Sequence, residues 1–69
     1  MSVTNVKDVE LRLDQIRGKL DDPKRAHLLE DVLYISTLRA IADGYARDPA
    51  ALARATLKAA DIDFIREYQ

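Results

Sequence analysis

Cysteine is absent from this chain of 69 residues, which excludes disulfide staples and thiolate-bound metal. Glycine occurs only twice, so no glycine-rich loop can cradle a phosphate. Proline also occurs twice, each time directly after an aspartate (Asp22-Pro23 and Asp48-Pro49). No apolar run approaches the roughly 20 residues that a membrane-spanning helix needs. The start, "MSVTNVKDVE", lacks the apolar core of a signal peptide. No excess of one charge exists either: 11 basic residues face 12 acidic ones, for a net charge of −1. The signs stay mixed along the chain, with four bases and three acids over 1–20, four and five over 21–47, and three and four over 48–69. A basic arm for nucleic acid and an acidic tail are thereby excluded. The expectation is a soluble, cytoplasmic protein with no membrane partner.

Hydrophobic residues make up 48% of the chain and charged residues 33%, a globular rather than a disordered balance. The length allows one domain, taken as residues 1–69. A core of this size is marginal without disulfides or metal. Good helix packing, oligomerisation or both must supply the rest.

Nearly the whole chain reads as helix. From Val6, the residues Val6, Val9, Leu13, Ile16 and Leu20 recur at spacings of three and four. That is a coiled-coil-like a/d seam, and it predicts a homodimer through this helix and part of the next. Thr4 or Asn5 can cap its start, Asp8 and Arg12 are spaced for an i,i+4 pair, and Leu11 lies off the seam. Gly18 should end the helix in a left-handed conformation. Asp22 as N-cap with Pro23 at the first position starts a second helix, which should run to Ala42 or Asp43 and stop at Gly44. Its large residues, Leu28, Leu29, Val32, Leu33, Tyr34, Ile35, Leu38 and Ile41, go almost all the way round, as expected of a helix that is central or at an interface.

Asp48-Pro49 repeats the start signal. The alanine-rich helix that follows has a thin apolar stripe of Leu52, Ala55, Thr56 and Ala59, with Leu57 to one side. The tail "DIDFIREYQ" suggests a last short helix capped by Asp61 or Asp63 and anchored by Ile62, Phe64, Ile65 and Tyr68. The fold class is therefore all-α, a small bundle of three to four helices.

The segment most like a site is "HLLED", residues 27–31, which holds the single histidine. On a helix, Glu30 and Asp31 both reach the side of His27, and Tyr34 follows on that face. Such a group could be a metal site or an acid/base pair. One turn cannot surround a metal, however, and i,i+3 and i,i+4 pairs are ordinary on helix surfaces. His27, Glu30, Asp31 and Tyr34 stand as candidate recognition residues. Asp61, Asp63 and Glu67 lack the 12-residue loop pattern of a calcium site and read as a cap plus a solvated face. No metal or other cofactor is expected.

Residues 38–58 have the outline of a helix-turn-helix, in which Arg54 and Lys58, with Arg47 before the cap, would meet DNA. Aligning Gly44 with the turn glycine puts Asp43 where that motif wants an apolar residue. Phosphate binding also needs more bases on one face, so DNA binding is the alternative reading and nucleic acid is not the expected partner. Catalysis has less support. There is no thiol, and Ser36 and His27 lie nine residues apart on one helix, facing different ways.

Ala26-His27 with Glu30-Asp31, Leu33-Tyr34, "LRAIADG", "DPAALARATL" and "IDF" together resemble a family of small accessory proteins of actinobacterial bacteriophages. The likeness covers residues 26–68 and leaves the first helix outside. That family carries no assigned chemistry, so the resemblance implies a setting, the host cytoplasm. The expected function is a non-catalytic protein–protein interaction module that modulates a host or phage protein.

Overall fold

Helices begin where the cap residues stand. A computed structural model describes residues 3–64. In it α1 spans Val6–Arg17, α2 Pro23–Ala42 and α3 Pro49–Leu57, and a 3₁₀ turn follows over Lys58–Asp61. Asn5 Oδ1 accepts from the Asp8 amide at 2.9 Å, Asp22 Oδ1 from Arg25 at 3.3 Å, and Asp48 Oδ1 from Ala51 at 3.0 Å. Each satisfies an amide that the first helical turn leaves without a partner. The fold class is thus all-α, with no strand among the described residues.

At α1 the cap works in both directions. The Asp8 carboxylate turns back and accepts from the Thr4 amide at 3.1 Å and the Thr4 hydroxyl at 3.2 Å. This resembles a capping box displaced by one residue, and Asp8 spends its bonds there rather than on a close pair with Arg12. The Thr4 amide is the chief reason that the Asp8 carboxyl lies below its ordinary value. Partial desolvation opposes the shift, while the Thr4 hydroxyl, the Asn5 amide and the Arg12 charge reinforce it. A depressed carboxyl stabilises the fold fully above its unfolded value of 3.8, and that contribution fades as pH falls through the lower folded value. Asp8→Asn should therefore flatten the acid limb of the melting temperature plotted against pH while changing it little at its foot. Parallel curves for the two proteins would refute this role.

The two glycines end their helices differently. Gly44 has φ 78° and closes α2 with two bonds, its own amide to the Ile41 carbonyl at 3.2 Å and the Tyr45 amide to Ala40 at 2.9 Å. This is the Schellman arrangement, which glycine adopts without the usual side-chain penalty. Gly18, expected to be left-handed, instead has φ −74°. Its turn stays right-handed because the Gly18 amide reaches back to Asp14 and Lys19 to Ile16. A Cβ at Gly18 would meet only carbonyl oxygens at 3.5 Å. Gly18→Ala should therefore stabilise the protein by about 0.4–1 kcal/mol, and Gly44→Ala should destabilise it by about 1–2 kcal/mol. Urea midpoints moving in the same direction would contradict this contrast.

Heptad-like seams from three helices meet in one core. Val9, Leu13 and Ile16 come from α1; Ala26, Glu30, Leu33, Thr37 and Ala40 from α2; Leu52, Ala55 and Thr56 from α3. The start of α1 lies beside the end of α2, with Thr4 near Ala40 and Asp43, and beside the start of α3, with Asn5 near Asp48. Hence α1 is antiparallel to α2 and parallel to α3. The long dimension of 34 Å is close to the ~30 Å that a 20-residue helix spans. Val3, Ala59 and Ile62 close the core, with Phe64 packed against it.

Two sequence expectations need correction. The seam assigned to a dimer is consumed within the chain. Val9, Leu13 and Ile16 are 0, 1 and 0% exposed, and only the end positions Val6 and Leu20, at 37% and 44%, remain open. An a/d pattern reports a helix packed on helices, and here α2 and α3 are nearer than any second copy. At the tail, Asp61 ends the 3₁₀ turn and Ile62 is extended, at φ −75° and ψ 122°, so Asp61 caps no following helix. A helix capped by Asp63, with Ile65, Glu67 and Tyr68, would lie outside the described residues.

Candidate functional site

Glu30 organises the group around "HLLED". It sits on the core seam of α2, one turn after Ala26 and three residues before Leu33, and is only 4% exposed. Its Oε2 accepts from the Tyr34 hydroxyl at 3.1 Å, and Oε1 lies 3.9 Å from His27 Nδ1. The other ring nitrogen, Nε2, is 3.4 Å from Asp31 Oδ2 on the solvent side. His27 thus lies between a buried and an exposed carboxylate, and Tyr34 holds the buried one from the next turn. All four residues belong to α2, so their spacing follows from helix geometry alone. Among the described residues, no three histidine or acidic side chains converge as they would around a metal ion.

Asp31 lies on the exposed side of the helix, as a surface i,i+4 partner of His27 would, whereas Glu30 lies in the core. The sequence holds a compatible seam, one of several on this helix. Ala26, Glu30, Leu33, Thr37 and Ala40 recur at spacings of 4, 3, 4 and 3, a core seam of mostly small residues hidden among larger leucines. A buried carboxylate is stabilised by its hydrogen bonds and destabilised by desolvation. Locally, Tyr34 and His27 are fixed on either side of it.

The Tyr34 ring continues the site towards α3. Tyr34, Thr37, Leu38 and Ile41 from α2 face Ala53, Thr56 and Leu57 from α3 across an open groove of about 270 Å³. Its floor is the buried hydroxyl pair Thr37–Thr56, 2.8 Å apart. Thr56 also donates to the Leu52 carbonyl at 2.9 Å. Because that uses its one proton, Thr37 must be the donor within the pair. Leu38 and Leu57 form the rims and are 66% and 63% exposed. A wider cleft of about 540 Å³ separates the starts of α1 and α3, but its Asn5 and Asp48 oxygens already serve as caps.

Arg47, Arg54 and Lys58 are all exposed. Arg54 and Lys58 are one turn apart. Arg47 lies in the cleft at the start of α3, whereas Lys58 lies with Arg17 and Asp61 at its far end, roughly 16 Å away at helical rise. The fold therefore does not gather the three into one patch. The connection from α2 to α3, residues 43–48, is also longer than the three- to four-residue turn of a helix-turn-helix.

The fold and site together define a small three-helix domain with an apolar groove beside the half-buried Tyr34 and the buried Glu30 carboxylate it donates to. Comparison of the chain with protein-family models, curated proteins and solved structures gives no match.

Proposed function

We propose that this protein is a non-catalytic protein–protein interaction module acting in the cytoplasm. In the setting implied by the phage resemblance, it would bind and modulate a host or phage protein. One observation carries the reading: large apolar side chains of α2 and α3, Leu38 and Leu57 foremost, stay exposed around a groove whose floor and polar edge are fixed. Exposed, contiguous apolar surface on a small protein marks an interaction site. Tyr34 and His27 add a rigid aromatic and polar border of the kind that orients a partner.

The test is capture of partners from an actinobacterial host lysate by the tagged protein, beside variants on two faces. Leu57→Glu and His27→Ala should each lose a partner that the parent retains. Leu11→Glu, on the exposed side of α1, should retain it. Equal capture by all four proteins would refute the groove as the binding face.

A further inference from the structure

The outer face of α2 has a composition that solvent alone does not explain. The core seam of α2 is Ala26, Glu30, Leu33, Thr37 and Ala40. At about 100° per residue, Ile35 lies opposite the centre of that seam, and it is 54% exposed. Leu28, 50% exposed, comes seven residues earlier and lies on the same line. Ala42, seven residues later, extends the line to the end of the helix. Asp31 and Arg39 flank Ile35 at four residues before and after, and both are exposed.

We propose that this face pairs with the same face of a second copy of the chain, antiparallel, about a two-fold axis through Ile35. The proposal rests on reading the outer surface of α2 as an interaction surface, and it names the occupant. Such an axis brings residues equally far before and after Ile35 into one layer. Leu28 then meets Ala42 of the second copy, and Val32 meets Leu38. Asp31 meets Arg39, and by symmetry this ion pair forms twice. A parallel pairing would instead set Asp31 against Asp31 and Arg39 against Arg39, a like-charge clash at both levels. Moving the two-fold axis one turn towards the helix start, a seven-residue change of register, sets Lys24 against Arg39. Moving it one turn the other way leaves Leu28 uncovered. Only the Ile35 centre covers the apolar line and neutralises the charges.

Absence of cysteine makes the geometry directly testable. Ile35→Cys places one thiol on the axis and should form a covalent dimer rapidly under mild oxidation. Leu28→Cys should not, because its two thiols would sit roughly 21 Å apart at helical rise, far beyond disulfide reach. In sedimentation equilibrium, Ile35→Asp should weaken the dimer at least ~100-fold while keeping the circular dichroism of the folded chain. Asp31→Arg and Arg39→Asp should each weaken it about tenfold, and the double reversal should recover most of the loss. Within one chain these residues are two helical turns apart, so recovery can come only from a second copy.

A monomeric mass at high micromolar concentration would overturn the proposal. So would equal cross-linking at positions 28 and 35, or a double reversal no better than the single changes. A monomer that still captures a partner through Leu57 would overturn the pairing and leave the groove reading standing. A dimer with no Leu57-dependent partner would do the reverse.

Discussion

Leu33→Ala should leave a large fraction of this protein unfolded at physiological temperature. Leu33 is fully buried at the middle of the α2 seam, with Leu13, Ile16 and Leu52 among the other large side chains of the core. Truncation of a buried leucine costs about 2–5 kcal/mol, and the upper part of that range applies where neighbours cannot collapse into the cavity. At ordinary stability per residue, a chain of this length has roughly 3–10 kcal/mol in total. One substitution can therefore remove most of it. Leu57→Ala, on the exposed rim, should shift stability by no more than about 0.5 kcal/mol. Urea denaturation followed by circular dichroism measures both. A Leu33→Ala loss below about 1 kcal/mol would show that the core is not packed as described.

The second large effect lies in the hydroxyl pair between α2 and α3. Thr56→Val removes the acceptor for the buried Thr37 proton, and stranding a buried donor costs about 1–3 kcal/mol. Thr37→Val is milder, because Thr56 keeps its bond to the Leu52 carbonyl. Replacing both residues by valine preserves shape and removes both polar groups, so the double variant should be close to the parent in stability, or above it. A double-mutant cycle should thus give a coupling of roughly 1 kcal/mol or more between residues 19 apart in sequence. Additive losses would mean that the two hydroxyls are satisfied independently.

The helix starts were legible because their cause is local. Asn5, Asp22 and Asp48 each accept a hydrogen bond from an amide three residues on, and Pro23 and Pro49 fit first helical positions. Gly44 was legible for the same reason. Gly18 was only half legible, since glycine permits a left-handed end without requiring one. The stripe Leu52, Ala55, Thr56 and Ala59 was read correctly and is buried. Val3 was missed because it precedes the first helix, where periodicity carries no information, yet it is buried at 2%.

The candidate site divides along the same line. Helical spacing alone placed His27, Glu30, Asp31 and Tyr34 together. It could not show that Glu30 points into the core while Leu28, Ile35 and Leu38 point out. On a helix apolar on nearly every side, several faces compete for burial. The winner depends on which residues the neighbouring helices can approach, and α1 and α3 pack closely over Ala26, Thr37 and Ala40. An all-helical chain, the helix starts and the side chains that share a turn can all be read from the amino-acid order, because they follow from hydrogen bonds spanning three or four residues. The packing of the three helices is what turns the seam of α1 into the chain's own core, buries Glu30, and leaves Leu28, Ile35 and Leu38 of α2 outside. Those outcomes depend on contacts between distant segments competing for one small interior.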